Sequence, residues 1–105
     1  MSADEFDDVV NMTPSELERW LGTPESQEVG FRDGDGEESV GHASGRRIVE
    51  IRRKRRGDLT DGDRDHMAKV VGYVHRHLAQ GGPKDDVEHS KWRYSLMNWG
   101  HDPLK

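Results

Sequence analysis

Apolar residues recur at helical spacing in four separate stretches of this chain, with glycine, proline and acidic residues between them. Phe6, Val9 and Val10 stand at i, i+3 and i+4, which predicts a short helix over Asp4–Asn11 with acids in its first turn. Thr13-Pro14-Ser15-Glu16 then reads as a capping box: Thr13 caps, Pro14 takes the first helical position and Glu16 reaches back to the cap. The helix it starts carries Leu17, Trp20 and Leu21 on one side and ends at Gly22. Asp61–Gln80 is the longest periodic segment, opened by a second capping box of Thr60 and Asp63. Met67, Val70, Val71, Val74 and Leu78 form its narrow apolar stripe. Ala68, Gly72, His75 and Ala79 lie on its other flank, and small groups there predict a close approach by another backbone, making this helix the expected packing centre. Gly81-Gly82-Pro83 breaks the chain, and Asp85 or Asp86 is the expected cap of a last helix with Trp92, Leu96 and Trp99 aligned at i, i+4 and i+7. Gly100 fits the left-handed residue that closes such a helix, with Asp102-Pro103 beyond it.

Thr23–Gly45 departs from this pattern. Five glycines and the run DGDGEE, with only Val29, Phe31 and Val40 as sizeable apolar residues, predict a long loop with a single helical turn at Pro24–Glu28. A further helix follows, capped by Ser44 or begun earlier near Ser39, and Gly57 stops it. The expected fold is all-α: a compact bundle of four to five short helices with a long Gly-rich acidic loop. It forms one small domain over residues 1–105, with a disordered tail at 1–3, the loop at 23–45 and a linker at 81–86 between the last two helices.

Composition tightens this picture. Leu, Ile, Val and Phe number nineteen, and 35% of the chain is charged, so the core must be thin and the tryptophans are needed inside it. The absence of cysteine removes disulfide and thiolate chemistry. MSADEFDDVV has no apolar signal region and no apolar run reaches the length of a membrane span, so a cytoplasmic protein without membrane contact is expected.

Charge is unevenly spread. Arg46–Arg56 holds seven of the sixteen Lys and Arg residues and one acid, a local charge of +6 in a chain of −5, which leaves −11 on the rest. On a helix Arg46, Arg47, Arg53 and Lys54 share a face with Glu50 at its middle, opposite Ile48 and Ile51. A cluster of this kind can displace counterions from phosphates, and it can equally be a solvated helix face or be neutralised by the chain's own acids. Lys91, Arg93 and Tyr94, which interleave cations with an aromatic ring, are the further candidates for nucleic-acid contact. A sequence-reading helix-turn-helix is disfavoured, because Asp61, Asp63 and Asp65 would stand at the base-reading end of the second helix.

Other chemistry finds little footing. DGDRD lacks the sixth-position glycine and twelfth-position glutamate of a calcium loop, having His66 and Gly72 there. His75 and His77 diverge on a helix, while His66 and His77 are separated by about 16 Å along it, so no histidine pair closes on one metal ion. GHASG displaces its serine by one place from a nucleophile elbow. No catalytic residue, cofactor or metal site is assigned.

The segments SVGHASGRRIVEI, KVVGYVHRHLAQ and WRYSLMNWGHDPLK resemble a small uncharacterised bacterial family catalogued as domain of unknown function thirty-one forty, over most of the chain from Asn11 onward. Some of its members carry a DNA-binding label. The expected function is non-enzymatic nucleic-acid binding, DNA before RNA, through Arg46, Arg47, Arg53, Lys54 and Arg56 with low sequence specificity. The alternative is a protein-interaction module or homodimer using the basic helix or the acidic loop.

Overall fold

The computed structural model describes residues 3–29 and 38–105, and six α-helices with two short 3-10 turns make up its regular structure; there is no strand among the described residues. The helices are α1 (Ala3–Val9), α2 (Pro14–Leu21), α3 (Pro24–Glu28), α4 (Val40–Arg53), α5 (Asp61–Gln80) and α6 (Lys91–Asn98). Of the tail expected at 1–3, residues 1–2 lie outside the described residues and Ala3 instead opens α1; the centre of the expected acidic loop, 30–37, also lies outside them.

Both capping boxes form as the sequence requires. Thr13 Oγ1 accepts from Glu16 N at 3.1 Å while Glu16 Oε1 accepts from Thr13 N at 2.9 Å. Thr60 Oγ1 accepts from Asp63 N at 3.0 Å and Asp63 Oδ2 accepts from Thr60 N at 3.1 Å. Each satisfies two donors that the first helical turn would leave unpaired. At the other end of α6, Gly100 adopts φ +82°, Gly100 N donates to Met97 O and His101 N to Leu96 O. That is a Schellman closure, and the positive φ is why glycine stands there.

Three expectations are corrected. Helix α4 starts at Val40 with Ser39 as its cap, the earlier of the two expected starts, so Ser44 is no cap and Gly41–Gly45 is helix and not the end of a loop. Its two glycines serve close packing: a Cβ on Gly45 would lie 2.6 Å from Asn98 O, and one on Gly41 would lie 3.1 Å from Trp99 Nε1. The close approach therefore falls on α4 against the end of α6. The flank of α5 holding Ala68, His75 and Ala79 is exposed, and a Cβ on Gly72 would meet only the Arg76 side chain. Lastly, α6 is capped by Ser90, whose Oγ accepts from Arg93 N at 3.1 Å, because Asp86 is already turned into a left-handed conformation before the 3-10 turn at Val87–His89.

The core draws on every helix except α3. Phe6, Val9 and Val10 meet Leu17, Leu21, Ile48, Ile51, Met67, Val70, Val74, Leu96 and Trp99, all nearly or wholly buried. Leu78, expected at the end of the α5 stripe, stays partly exposed at 37%. Helix α4 sits centrally, packing on α2, α5 and α6, while α1 lies along α5. No helix among the described residues is long and apolar enough to cross a membrane.

A buried polar knot joins the remaining helix to this core. Asn98, 1% exposed, accepts at Oδ1 from Trp20 Nε1 (2.8 Å) and from Ser26 Oγ (2.5 Å), and donates from Nδ2 to Ser26 O at 3.0 Å. The neighbouring helices α2 and α3 are thereby tied to the distant α6 through one amide. The segments flanking α1 and α6 are laced in the same way: Met12 N donates to Gly100 O, Asn11 exchanges bonds with Asp102, and His101 Nδ1 bonds Val9 O at 2.7 Å.

Candidate functional site

The basic run is divided among four carboxylates. Arg46 forms a forked pair with Glu38, Nε to Oε2 at 2.7 Å with NH2 on Oε1. Arg53 reaches across to Glu18 of α2 at 2.7 Å. Lys54 donates to Asp63 at the start of α5 at 2.7 Å, and Arg47 lies 3.5 Å from the other oxygen of the same carboxylate. Arg56 reaches Asp7 of α1 at 3.3 Å, while Arg52 donates to Val10 O at 2.9 Å. The carboxylates record this environment. Asp63 is held well below the ordinary range, first by the Lys54 hydrogen bond and then by the Thr60 N–H; Glu38 is lowered chiefly by Arg46.

The consequence for phosphate binding is a matter of charge. Six surplus positive charges in the run, less the four carboxylates Glu38, Glu18, Asp63 and Asp7 that answer it among the described residues, leave at most two. The pairs of Arg46 and Arg56, 62% and 71% exposed, contribute little to stability, whereas the Asp63 carboxylate that holds Lys54 is buried. The four carboxylates nonetheless compete with a phosphate for Arg46, Arg53, Lys54 and Arg56.

The candidates on α6 do not join this face. Arg93 is locked in a fork on Asp102, at 3.1 and 3.0 Å, and also donates to Glu88 O at 2.9 Å. Burial pushes Asp102 up, but hydrogen bonds from Arg93 and the Leu104 N–H outweigh it and its carboxyl ends below the ordinary range. Tyr94 is half-buried with its ring 5.3 Å from that of Trp20, a packing contact. Lys91 is exposed.

Two concave features adjoin α4. Between α2 and α4 runs a groove of about 380 Å³ with Leu21 and Val49 at its floor and Glu18, Glu50, Arg46 and Arg53 around it. On the other side, where α4 meets α5 and the end of α6, lies a cleft of about 350 Å³. It contains a pair missed in the sequence: Ser44 Oγ and His66 Nε2 lie 2.9 Å apart across two helices. No sequence spacing signals that pair. A hydroxyl against an imidazole resembles a nucleophile and its base, but Ser44 lies inside α4, where the neighbouring N–H groups are spent on helical bonds and offer no oxyanion hole.

His66 begins a column of rings. It stacks on Trp99 (6.2 Å between centroids), which stacks on Tyr73 (4.2 Å), followed by His77 (5.3 Å) and Trp92 (6.3 Å), all within 15° of parallel. His77 is fixed there although its Nε2 is buried without a hydrogen-bond partner. Burial lowers the pKa of both histidines, reinforced at His66 by Arg47 and Lys69. Each therefore binds fewer protons folded than unfolded, and the stability they support is complete above the unfolded value of about 6.5 and is lost as pH falls through the folded values. The urea midpoint is expected to drop between pH 7.5 and pH 5, before the carboxylates titrate. The double variant His66→Gln, His77→Gln should flatten that drop; an equally steep fall in the variant would assign it elsewhere.

The chain is thus an all-helical protein with a thin apolar core, two polar knots and an internally paired basic helix. A family model described as "Protein of unknown function (DUF3140)" matches residues 5–97, and the chain belongs to that family. No curated protein and no solved structure matches it. Among the described residues no group of three or more metal-ligating side chains converges.

Proposed function

We propose that this chain is a non-enzymatic interaction module whose partner is a protein segment seated in the groove between α2 and α4. The observation that carries the reading is the mixed-sign rim of that groove: Glu18, Glu50, Arg46 and Arg53 stand around the apolar floor of Leu21 and Val49. A polyanion would meet two carboxylates there. A peptide with one apolar side chain between a basic and an acidic residue satisfies floor and rim together. The test is a crosslinking reporter at exposed Glu50 in nuclease-treated extract, compared with a Glu18→Lys, Glu50→Lys variant. A discrete protein adduct that survives nuclease and is lost with the charge reversals supports the reading. An adduct that disappears with nuclease overturns it.

The second reading is low-specificity DNA binding through Arg46, Arg47, Arg53, Lys54 and Arg56, and the exposure of their ion pairs favours it, since exposed pairs can exchange partners. The magnitude separates the two. Five free cations would give a log–log salt slope near −4.5, whereas the two surplus charges left after internal pairing give about −2. A retardation titration at several salt concentrations is expected to show at most the shallow slope. A slope steeper than about −4, weakened by Arg53→Glu with Lys54→Glu on every sequence alike, would establish the DNA reading and sink the first.

A further inference from the structure

The cleft on the far side of α4 from the groove has the build of a small-molecule site. Three elements frame it: α4 through Ser44 and Arg47, α5 through His66 and Lys69, and the end of α6 through Trp99. Its volume, about 350 Å³, lies within the range of cavities that hold small ligands. Ser44 is 4% exposed, so its hydroxyl is part of the interior of the site and not of a passing surface.

Its charge is unspent, unlike that of the rest of α4. Lys69 makes no ion pair with any described residue. Arg47 has one contact, at 3.5 Å, to an Asp63 carboxylate that is already engaged by Lys54 at 2.7 Å and by the Thr60 N–H. Most of the guanidinium's five donors are therefore free to turn to a ligand. Glu38, at the rim, is tied to Arg46 and His42. Val40 and Ala43, on the same face of α4 as Arg47, and Trp99 supply the apolar part of the lining.

We propose that this cleft binds a small molecule with an anionic head group, carboxylate or phosphate, on a planar apolar body. The head group sits between Arg47 and Lys69, within reach of the Ser44–His66 pair, and the body lies on Val40, Ala43 and Trp99. The groups that face His66 are Arg47 and Ser44 from α4 with Lys69 and Asp63 from α5. An anion arriving between the two cations offsets their repulsion of an imidazolium and draws a proton onto His66. Binding is thereby written into the titration of that ring.

Four probes separate head group from body: benzoate, phenyl phosphate, acetate and inorganic phosphate, each titrated into the full chain while the histidine ring signals are followed by NMR across pH. The expected result is saturable binding of benzoate or phenyl phosphate at least ten-fold tighter than of the matching bodiless anion. The His66 midpoint rises and that of His77, three rings along the column, stays in place. Whichever aromatic anion binds more tightly identifies the head group. Lys69→Met, at an exposed position that leaves the core untouched, should weaken binding at least five-fold. Absence of saturation, equal binding of acetate and benzoate, or an indifferent Lys69→Met variant overturns the proposal. The α2–α4 groove is a separate surface, so failure here leaves the protein-partner reading standing.

Discussion

Asn98→Ala is expected to lower the melting temperature by roughly 12–24 °C, corresponding to about 3 kcal/mol in a domain of this size. The amide is the hub of a buried knot, and its removal strands the Trp20 indole N–H, the Ser26 hydroxyl and the Ser26 carbonyl at once. An unsatisfied buried group costs about 1–3 kcal/mol, so three of them outweigh the roughly 1 kcal/mol net worth of a single hydrogen bond. Ser26→Ala removes one arm only and should cost about 1 kcal/mol. Adding it to Asn98→Ala should cost less than that, because the hydroxyl has already lost its acceptor. Thermal unfolding followed by tryptophan emission measures all three variants. A loss under 1 kcal/mol for Asn98→Ala would mean that water enters and satisfies the stranded groups, and that α3 is held by something else.

The second large effect is a change of sign between two glycines in helices. Replacement by alanine in a helix interior normally stabilises by about 1 kcal/mol through propensity. At Gly72 that gain should appear, since the added Cβ meets only the flexible end of Arg76 at 3.4 Å. At Gly45 the Cβ would lie 2.6 Å from Asn98 O and 2.7 Å from Leu21 Cδ2. A backbone oxygen cannot swing aside, so α4 and α6 must separate, and overpacking costs about 1–3 kcal/mol before the broken knot beneath is counted. Gly45→Ala should therefore destabilise by about 2 kcal/mol net, and Gly45→Val by more. Chemical denaturation of the two alanine variants decides the matter: equal gains at both sites would show that the α4–α6 contact is loose.

The glycines of α4 also show how far the sequence could be read. The capping boxes at Thr13 and Thr60, the closure at Gly100 and the apolar stripe of α5 are local signals, each contained within a turn or two of helix. All were legible. Gly41 and Gly45 looked like loop residues because helix propensity penalises glycine locally, while the reason for them, the passage of α6 across α4, lies more than fifty residues away. Ser90 displaced the expected aspartate caps for a similar reason, since the turn at Val87–His89 had first to place it.

The candidate sites were less legible than the fold. The concentration of bases in Arg46–Arg56 was plain, but their answering acids come from α1, α2, α5 and the residue ahead of the Ser39 cap. A helical projection of one segment holds no information about what faces it. Ser44 and His66 are 22 residues apart and on different helices, so neither GHASG nor the histidine spacing could announce their contact. Arg93 and Tyr94 looked available because an alternation of cations and aromatics is the same whether it points to solvent or is fastened to Asp102 and Trp20.

The lacing of Val9, Asn11 and Met12 to Gly100–Asp102 bears on how the molecule is made. On a ribosome the first helices emerge long before their partners, and the backbone groups at positions 9–12 wait for nearly the whole chain to be synthesised. Folding of this unit then waits until Gly100–Asp102 have emerged, with the early segments dependent on local capping or on a chaperone until they do. Joining the two ends by a short linker and reopening the chain at Gly81–Gly82 would make that contact local, and should speed folding without altering the structure reached.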